Sequence, residues 1–191
     1  MVEQKGFRLV LVLFSFCFLF FSCSKKGQVK AELEILQSQA ITVCLDSMEC
    51  VQRGQKIDSK IGEQSFKWVV YADSSVCSSC KLSEMYKWDD LLQKVGRYGE
   101  RLKFYFIFSP SSENRRAFDW TIRTYAPEYP IYIDTLGIFE RSNPHLPHNP
   151  MFHTFLLDED NNVLLVGNPL ENKKIAAMFW QIVEEKLGKC E

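Results

Sequence analysis

The sequence predicts an α/β domain: a mixed central sheet with helices on both faces. Three observations carry that prediction. Two continuous β-prone runs, Phe66 to Ala72 and Leu102 to Phe108, read as strands buried on both sides, and a helical stretch follows each. Near the end, Thr154 to Leu157 and Val163 to Val166 flank a turn, Asp158 to Asn162, and read as an antiparallel hairpin. Alternating strand–helix units followed by such a hairpin give strands of both directions in one covered sheet.

Taken in order, the chain begins with Lys5 and Arg8, followed by a run from Leu9 to Phe21 in which only Ser15 is not apolar. A membrane-spanning helix needs about 20 apolar residues. A shorter run behind a positive segment is the pattern of an export signal. Ser22-Cys23-Ser24 comes next, and a small residue before Cys resembles a bacterial lipoprotein signal. That resemblance implies a signal peptide over residues 1–22 and a lipid on Cys23. It also implies a place in the cell envelope, anchored to a membrane and facing the periplasm. Cys17 would leave with the signal. Residues 23–65 then form a lipidated tether with a helix and a strand, and residues 66–191 the main domain.

In the tether, Leu33, Leu36 and Ala40 recur at helical spacing, with Ile35 beside them, so the spacing predicts a short helix over Val29 to Gln39. Ile41 to Leu45 reads as a strand, and Gln52 to Gln64 as a polar connection. After the strand Phe66 to Ala72, the break Asp73 to Val76 leads into Cys77-Ser-Ser-Cys80. Leu82, Met85, Trp88, Leu92 and Val95 share one face and predict a helix over Lys81 to Val95. Gly96 to Gly99 reads as a loop before the second long strand, which Pro110 ends. Ser111 or Ser112 is placed to cap a helix with Phe118, Ile122 and Tyr125 inward. Pro127 and Pro130 bracket the way to a third strand, Ile131 to Ile133, and Ser142 to Pro150 reads as a loop. Ile175, Met178, Phe179, Ile182, Val183 and Leu187 mark a last amphipathic helix. No stripe suggests a cofactor box, so no cofactor is expected.

Lys and Arg number 23 against 24 Asp and Glu, a net charge of −1. A nucleic-acid binder would show a basic excess, so none is expected as a partner. The 46% hydrophobic content excludes a disordered chain. No phosphate loop, nucleotide fingerprint, paired catalytic carboxylates or Ser-His-Asp order is present. Asp89-Asp90 and Glu184-Glu185 read as solvated helix faces.

The chemistry is concentrated in Cys77 and Cys80. A Cys at a strand-to-helix junction sits near the helix N-cap, where unpaired N–H groups and the helix dipole hold a thiolate below the free pKa of about 8.5. A second Cys one turn on, beneath the first, can attack a mixed disulfide and release the partner. The spacing therefore supplies an attacking and a resolving thiol within one turn.

These residues resemble the thioredoxin-like superfamily, in particular the envelope-tethered thiol–disulfide proteins of the cytochrome-maturation and TlpA-type branch. The resemblance runs from about Phe66 to Leu187. It is carried by Val69-Val-Tyr-Ala72, Cys77-Ser-Ser-Cys80-Lys81, Pro130-Ile-Tyr-Ile-Asp134, Thr154-Phe-Leu-Leu-Asp158 and Asn161-Asn-Val-Leu-Leu-Val-Gly167. It implies a thioredoxin-like fold, with Cys77 as nucleophile and Cys80 as resolving thiol acting on thiols or disulfides of other envelope proteins. The chain departs from the family at three positions. Val76 stands where an aromatic usually precedes the first Cys, and Val69 falls near the place of the buried acid. His153 occupies the place of the cis-proline facing the Cys pair. A cis bond before a non-proline residue costs about 2.5–4 kcal/mol, so a trans bond is expected there.

His153 thus has two readings: a catalytic residue that steadies the Cys77 thiolate or moves a proton, or a loop-end residue without a role. His145 and His148 read as surface loop residues. Zinc would need a second ligand pair, which is missing, because Cys44 and Cys50 are six apart. Cys44 and Cys50 are either a bridge or two buried thiols, and Cys190 is a thiol or the partner of another cysteine. Two functions follow from one set of residues. One is an envelope thiol–disulfide oxidoreductase; the other is a redox-inactive binding or assembly module in which Cys77–Cys80 is only structural.

Overall fold

The spine of the molecule is β3 (Phe66–Ala72), which pairs along its length with β4 (Leu102–Phe108) in parallel, Trp68 opposite Phe104. The structure is a computed structural model that describes residues 25–58 and 65–189. On the other side of β3 lies the antiparallel strand β6 (Thr154–Leu157), with Trp68 opposite Leu156, and β7 (Val163–Val166) closes that edge as the second arm of a hairpin. Beyond β4 come β5 (Ile131–Ile133), parallel to it, then β1 (Glu49–Gln52) and β2 (Gln55–Lys56). The order across the sheet is β2-β1-β5-β4-β3-β6-β7.

Helices cover both faces because of this order. The steps from β3 to β4 and from β4 to β5 move the same way, so right-handed crossovers place both connections on one face. They are α2 (Ser78–Ser83), α3 (Asp89–Val95) and α4 (Arg115–Tyr125). They pack with α6 (Lys173–Leu187) over Trp68, Phe106 and Leu156. From β5 the chain returns to β6 over the opposite face through α5 (Ile138–Ser142), where α1 (residues 25–36) also packs, its Leu36 in one cluster with Phe139, Val69 and Tyr105. A parallel pair extended on the far side of β3 by an antiparallel hairpin, with a CxxC helix after that central strand, is the thioredoxin-like arrangement.

Several local expectations are corrected. Ile41 to Leu45 is not a strand: Ile41 and Leu45 are buried, but the backbone is taken up elsewhere. Ile41 donates its N–H to the Asn161 carbonyl, and the Asn143 side chain binds both backbone groups of Thr42. A short 3₁₀ turn, Leu45–Ser47, follows, and the strand comes later, at β1. The tight β1–β2 hairpin turns on Arg53 and Gly54, both at positive φ (51° and 72°), as the favoured two-residue hairpin turns require.

The helix expected over Lys81 to Val95 starts earlier, with Cys77 as its N-cap, and breaks into α2, a 3₁₀ turn at Met85–Trp88 and α3. Gly96–Arg101 is a 3₁₀ segment rather than a plain loop. Neither Ser111 nor Ser112 caps α4: its N-cap is Asn114, and Tyr125 is exposed. Ser142 to Pro150 is less of a loop than expected, since Ser142 ends α5 and Pro150 opens a 3₁₀ turn, Pro150–Phe152. Helix α5 forms because the buried Asp134 carboxylate accepts the N–H groups of Ile138 (2.9 Å) and Phe139 (2.8 Å). Among the described residues no peptide bond is cis, His153 included.

Candidate functional site

Strand β3 is almost wholly buried, so it fixes in space the point at which the chain leaves the sheet. Asp73 shapes the exit. Its Oδ1 accepts the Ser75 N–H at 2.8 Å and the Ser75 hydroxyl at 2.6 Å, a side-chain-closed turn that points the chain toward α2. Cys77 then stands at the N-cap of α2 with extended backbone, and its Sγ accepts the Cys80 N–H at 3.2 Å. This is the cap position that the spacing predicts, with a backbone donor directed at the sulfur. Cys77 and Cys80 are joined by a disulfide, their Cα atoms 5.2 Å apart.

In one respect the pair differs from the expectation. Cys80 does not lie beneath Cys77; both cysteines are exposed. The inward positions of α2 are Ser78 and Leu82, one turn apart, and that phase turns both cysteines outward. Both residues of the pair therefore stand at the surface. Lys81, beside them, is also exposed. Val76 is half-buried against the core cluster.

His153 lies at the end of the Pro150–Phe152 turn, just before β6, and is 3% exposed. Its backbone carbonyl accepts the Tyr71 N–H at 2.8 Å, extending the β3–β6 ladder by one residue. Its Nε2 is 2.8 Å from the Pro147 carbonyl, its Nδ1 is 3.5 Å from Asp73 Oδ2, and its ring packs on Tyr71 with centroids 5.2 Å apart. The ring is thus brought to the turn that carries Cys77 through Asp73. Asp73 is the site residue that sequence reasoning missed. The available signal was an acid at the last step of a buried strand, immediately before a CxxC.

Charge around the site is set by burial. The phenol of Tyr71 is pushed up from its ordinary pKa of 10, chiefly by burial and further by the nearby Glu140 carboxylate. Lys67, on the same side of β3, is pushed down by burial, an effect opposed by Asp158, Glu159 and Asp160 in the hairpin turn. Val69, where the resemblance puts an acid, is a fully buried core residue.

The remaining cysteines and histidines are placed as follows. Cys44 and Cys50 are not bridged to each other: Cys44 Sγ lies 3.6 Å from Ser142 Oγ, and Cys50 is a buried thiol on β1. His148 is exposed, 3.2 Å from Glu140, whereas His145 is half-buried rather than on the surface. Cys17, Cys23 and Cys190, and with them the signal peptide and the lipid site, lie outside the described residues. No helix among those residues is long and apolar enough to cross a membrane. Nor does any group of three or more His, Cys, Asp or Glu among them form a metal site.

No protein-family model and no curated protein matches the chain. Among solved structures it is similar to a protein described as the thiol:disulfide interchange protein DsbE from Chlorobium tepidum, with 14% identity and a TM-score of 0.49 over 76% of this chain and 96% of that one. It is also similar to the exposed lipoprotein thioredoxin Etrx1 from Streptococcus pneumoniae (12% identity, TM-score 0.48, 70% and 97% covered). A third is AhpC from Enterococcus faecalis (18%, 0.46, 73% and 89%). The fold assignment rests on the chain's own sheet order and on the place of the CxxC within it.

Proposed function

We propose that this thioredoxin-like chain is a thiol–disulfide oxidoreductase of the cell envelope, held to a membrane through a lipid on Cys23 and facing the periplasm. The observation that carries the redox reading is the Cys77–Cys80 disulfide at the N-cap of α2, with a backbone N–H on Cys77 Sγ and both cysteines exposed. In the reducing direction the Cys77 thiolate attacks one sulfur of a partner disulfide. A Cys77–partner S–S bond forms, the partner's S–S bond breaks, and one partner thiolate leaves. The Cys80 thiolate then attacks Cys77 Sγ, closing the intramolecular disulfide and expelling the second partner thiolate. The partner gains two electrons and the pair loses two. Oxidation of a partner runs the same steps backward.

The partner is another envelope protein, reached at the exposed CSSC turn. The order of attack is testable by trapping. Cys80→Ser is expected to accumulate mixed disulfides through Cys77, and Cys77→Ser to accumulate none. In the purified protein, thiol-specific mass tagging against glutathione buffers is expected to show the pair equilibrating within minutes. A pair that stays inert in every buffer would sink the redox reading and leave a binding or assembly module, which His153 at the proline position and Val69 at the acid position favour. Incorporation of labelled palmitate, lost in Cys23→Ala, tests the anchor; incorporation that persists without Cys23 refutes it.

A further inference from the structure

One buried polar atom behind the CSSC turn, His153 Nδ1, has no hydrogen-bond partner. His153 Nε2 lies 2.8 Å from the Pro147 carbonyl, and a carbonyl oxygen only accepts, so Nε2 carries a hydrogen and donates it. In a neutral ring that leaves Nδ1 as a bare lone pair. Yet Nδ1 lies 3.5 Å from Asp73 Oδ2 with no hydrogen bond between them, and the two side chains are only 4% and 11% exposed. A carboxylate and an imidazole lone pair are both acceptors, and burying them face to face is costly. One proton placed between them removes the conflict, whether it rests on Nδ1 or on Oδ2.

We propose that Asp73 and His153 share one proton in the folded protein and act as a positioning pair for the CSSC turn. The other oxygen of Asp73 holds the Ser75 N–H and hydroxyl, and its backbone carbonyl accepts from Val76, the residue before Cys77. A proton on the pair ties Asp73 to His153 at the entry to β6, and Asp73 in turn keeps the exit turn closed. Loss of that proton sets two acceptors against each other and loosens the turn that delivers Cys77. Other ionisable groups lie close by. Tyr71 lies against the ring from β3, and Glu140 and Asp134, at α5, bear on Tyr71. The exposed His148 is paired with Glu140. A reduced pair with Cys77 as thiolate adds negative charge to the same turn. The reduced state therefore holds the shared proton more tightly than the disulfide state, and the potential of the couple acquires an extra proton dependence. This second step rests on the redox reading; the shared proton does not.

The two are tested separately. In the oxidised protein at near-neutral pH, nitrogen NMR of the imidazole, with carbon NMR of the Asp73 carboxyl, is expected to show either both ring nitrogens protonated or a protonated carboxyl. A bare Nδ1 beside an ionised Asp73 overturns the proposal, whatever the cysteines do. Asp73→Asn is the informative variant. Its carbonyl still accepts from Ser75, and its amide N–H₂ donates to Nδ1, so the geometry is satisfied without the extra proton. In D73N, Nδ1 is expected to carry no proton while the disulfide still forms. In the wild type, a plot of reduction potential against pH is expected to change slope where the pair loses its proton, and the D73N plot is expected to lack that change. The same slope change in both proteins overturns the positioning role. An inert disulfide with a protonated pair refutes the redox reading and leaves the shared proton standing.

Discussion

The two sides of one strand behave differently. Phe66, Trp68, Val70 and Ala72 point from β3 into the cluster under α2, α3, α4 and α6. It is an aromatic packing with Trp68 edge-on to Phe179 at 4.8 Å and Trp88 edge-on to Phe106 at 5.5 Å. The alternate residues, Lys67, Val69 and Tyr71, continue to Asp73 and face the other side, so an amine, a phenol and a carboxylate share one buried row. That face also holds the Asn143 clamp and the Asp134 cap. The contrast separates two tasks. One face contributes stability through contacts that no proton can alter, whereas the face behind the CSSC turn is where proton binding enters the fold.

The sharpest way to break the contrast is to weaken the apolar face. Trp68 is fully buried, and truncating a large buried aromatic costs about 3–5 kcal/mol. Trp68→Ala is expected to lower the denaturation midpoint accordingly, with little dependence on pH between neutral and alkaline conditions. A strongly pH-dependent loss would show that the two faces are coupled.

Asn143 comes next. Its side chain accepts the Thr42 N–H and donates to the carbonyls of Thr42 and Phe139, tying residues 41–43 to α5. Asn143→Ala removes two part-buried hydrogen bonds to Thr42 and a buried one to the Phe139 carbonyl, at about 1–3 kcal/mol. The loss is expected to be local: faster proteolysis and amide exchange ahead of β1, with the aromatic cluster unchanged. Uniform destabilisation would contradict a clamp.

That clamp also explains what the sequence made legible. Strands β3 to β7 stand where local pattern placed them, because continuous β-prone runs bounded by Pro or polar turns have few other uses. The stretch from Ile41 to Leu45 has the same local pattern and is no strand, since its backbone partners are Asn143 and Asn161, more than a hundred residues on. Strands β1 and β2 were hidden for the opposite reason: runs of only four and two residues carry little apolar signal. At the site, the CSSC turn could be read directly from its spacing. The inward phase of Ser78 and Leu82, which exposes Cys80, depends on how α2 breaks after Ser83. Asp73 is meaningful only once the fold sets His153 against it.

The smallest effects sharpen the comparison most, because two residues on the polar face are expected to respond to alkali in opposite senses. Lys67 is held below its ordinary pKa of 10.5 by burial, so the unfolded chain binds that proton more tightly than the folded one. Between the folded and the ordinary value, stability therefore rises with pH, and Lys67→Met removes the rise. Tyr71 is the reverse case. Burial raises its phenol above 10, so its contribution is fully present below pH 10 and is lost as pH climbs toward the folded value. Tyr71→Phe removes that loss, and at neutral pH it is expected to change stability by no more than about 1 kcal/mol, as one hydroxyl is deleted without opening a large cavity. Urea unfolding of the oxidised protein at stepped pH measures both. The wild-type curve minus that of Lys67→Met is expected to slope upward just below pH 10.5, and the wild-type curve minus that of Tyr71→Phe to slope downward above pH 10. If both differences are flat, the row from Lys67 to Tyr71 is as indifferent to protons as the row from Phe66 to Ala72, and the division of the strand into a packing face and a titrating face fails.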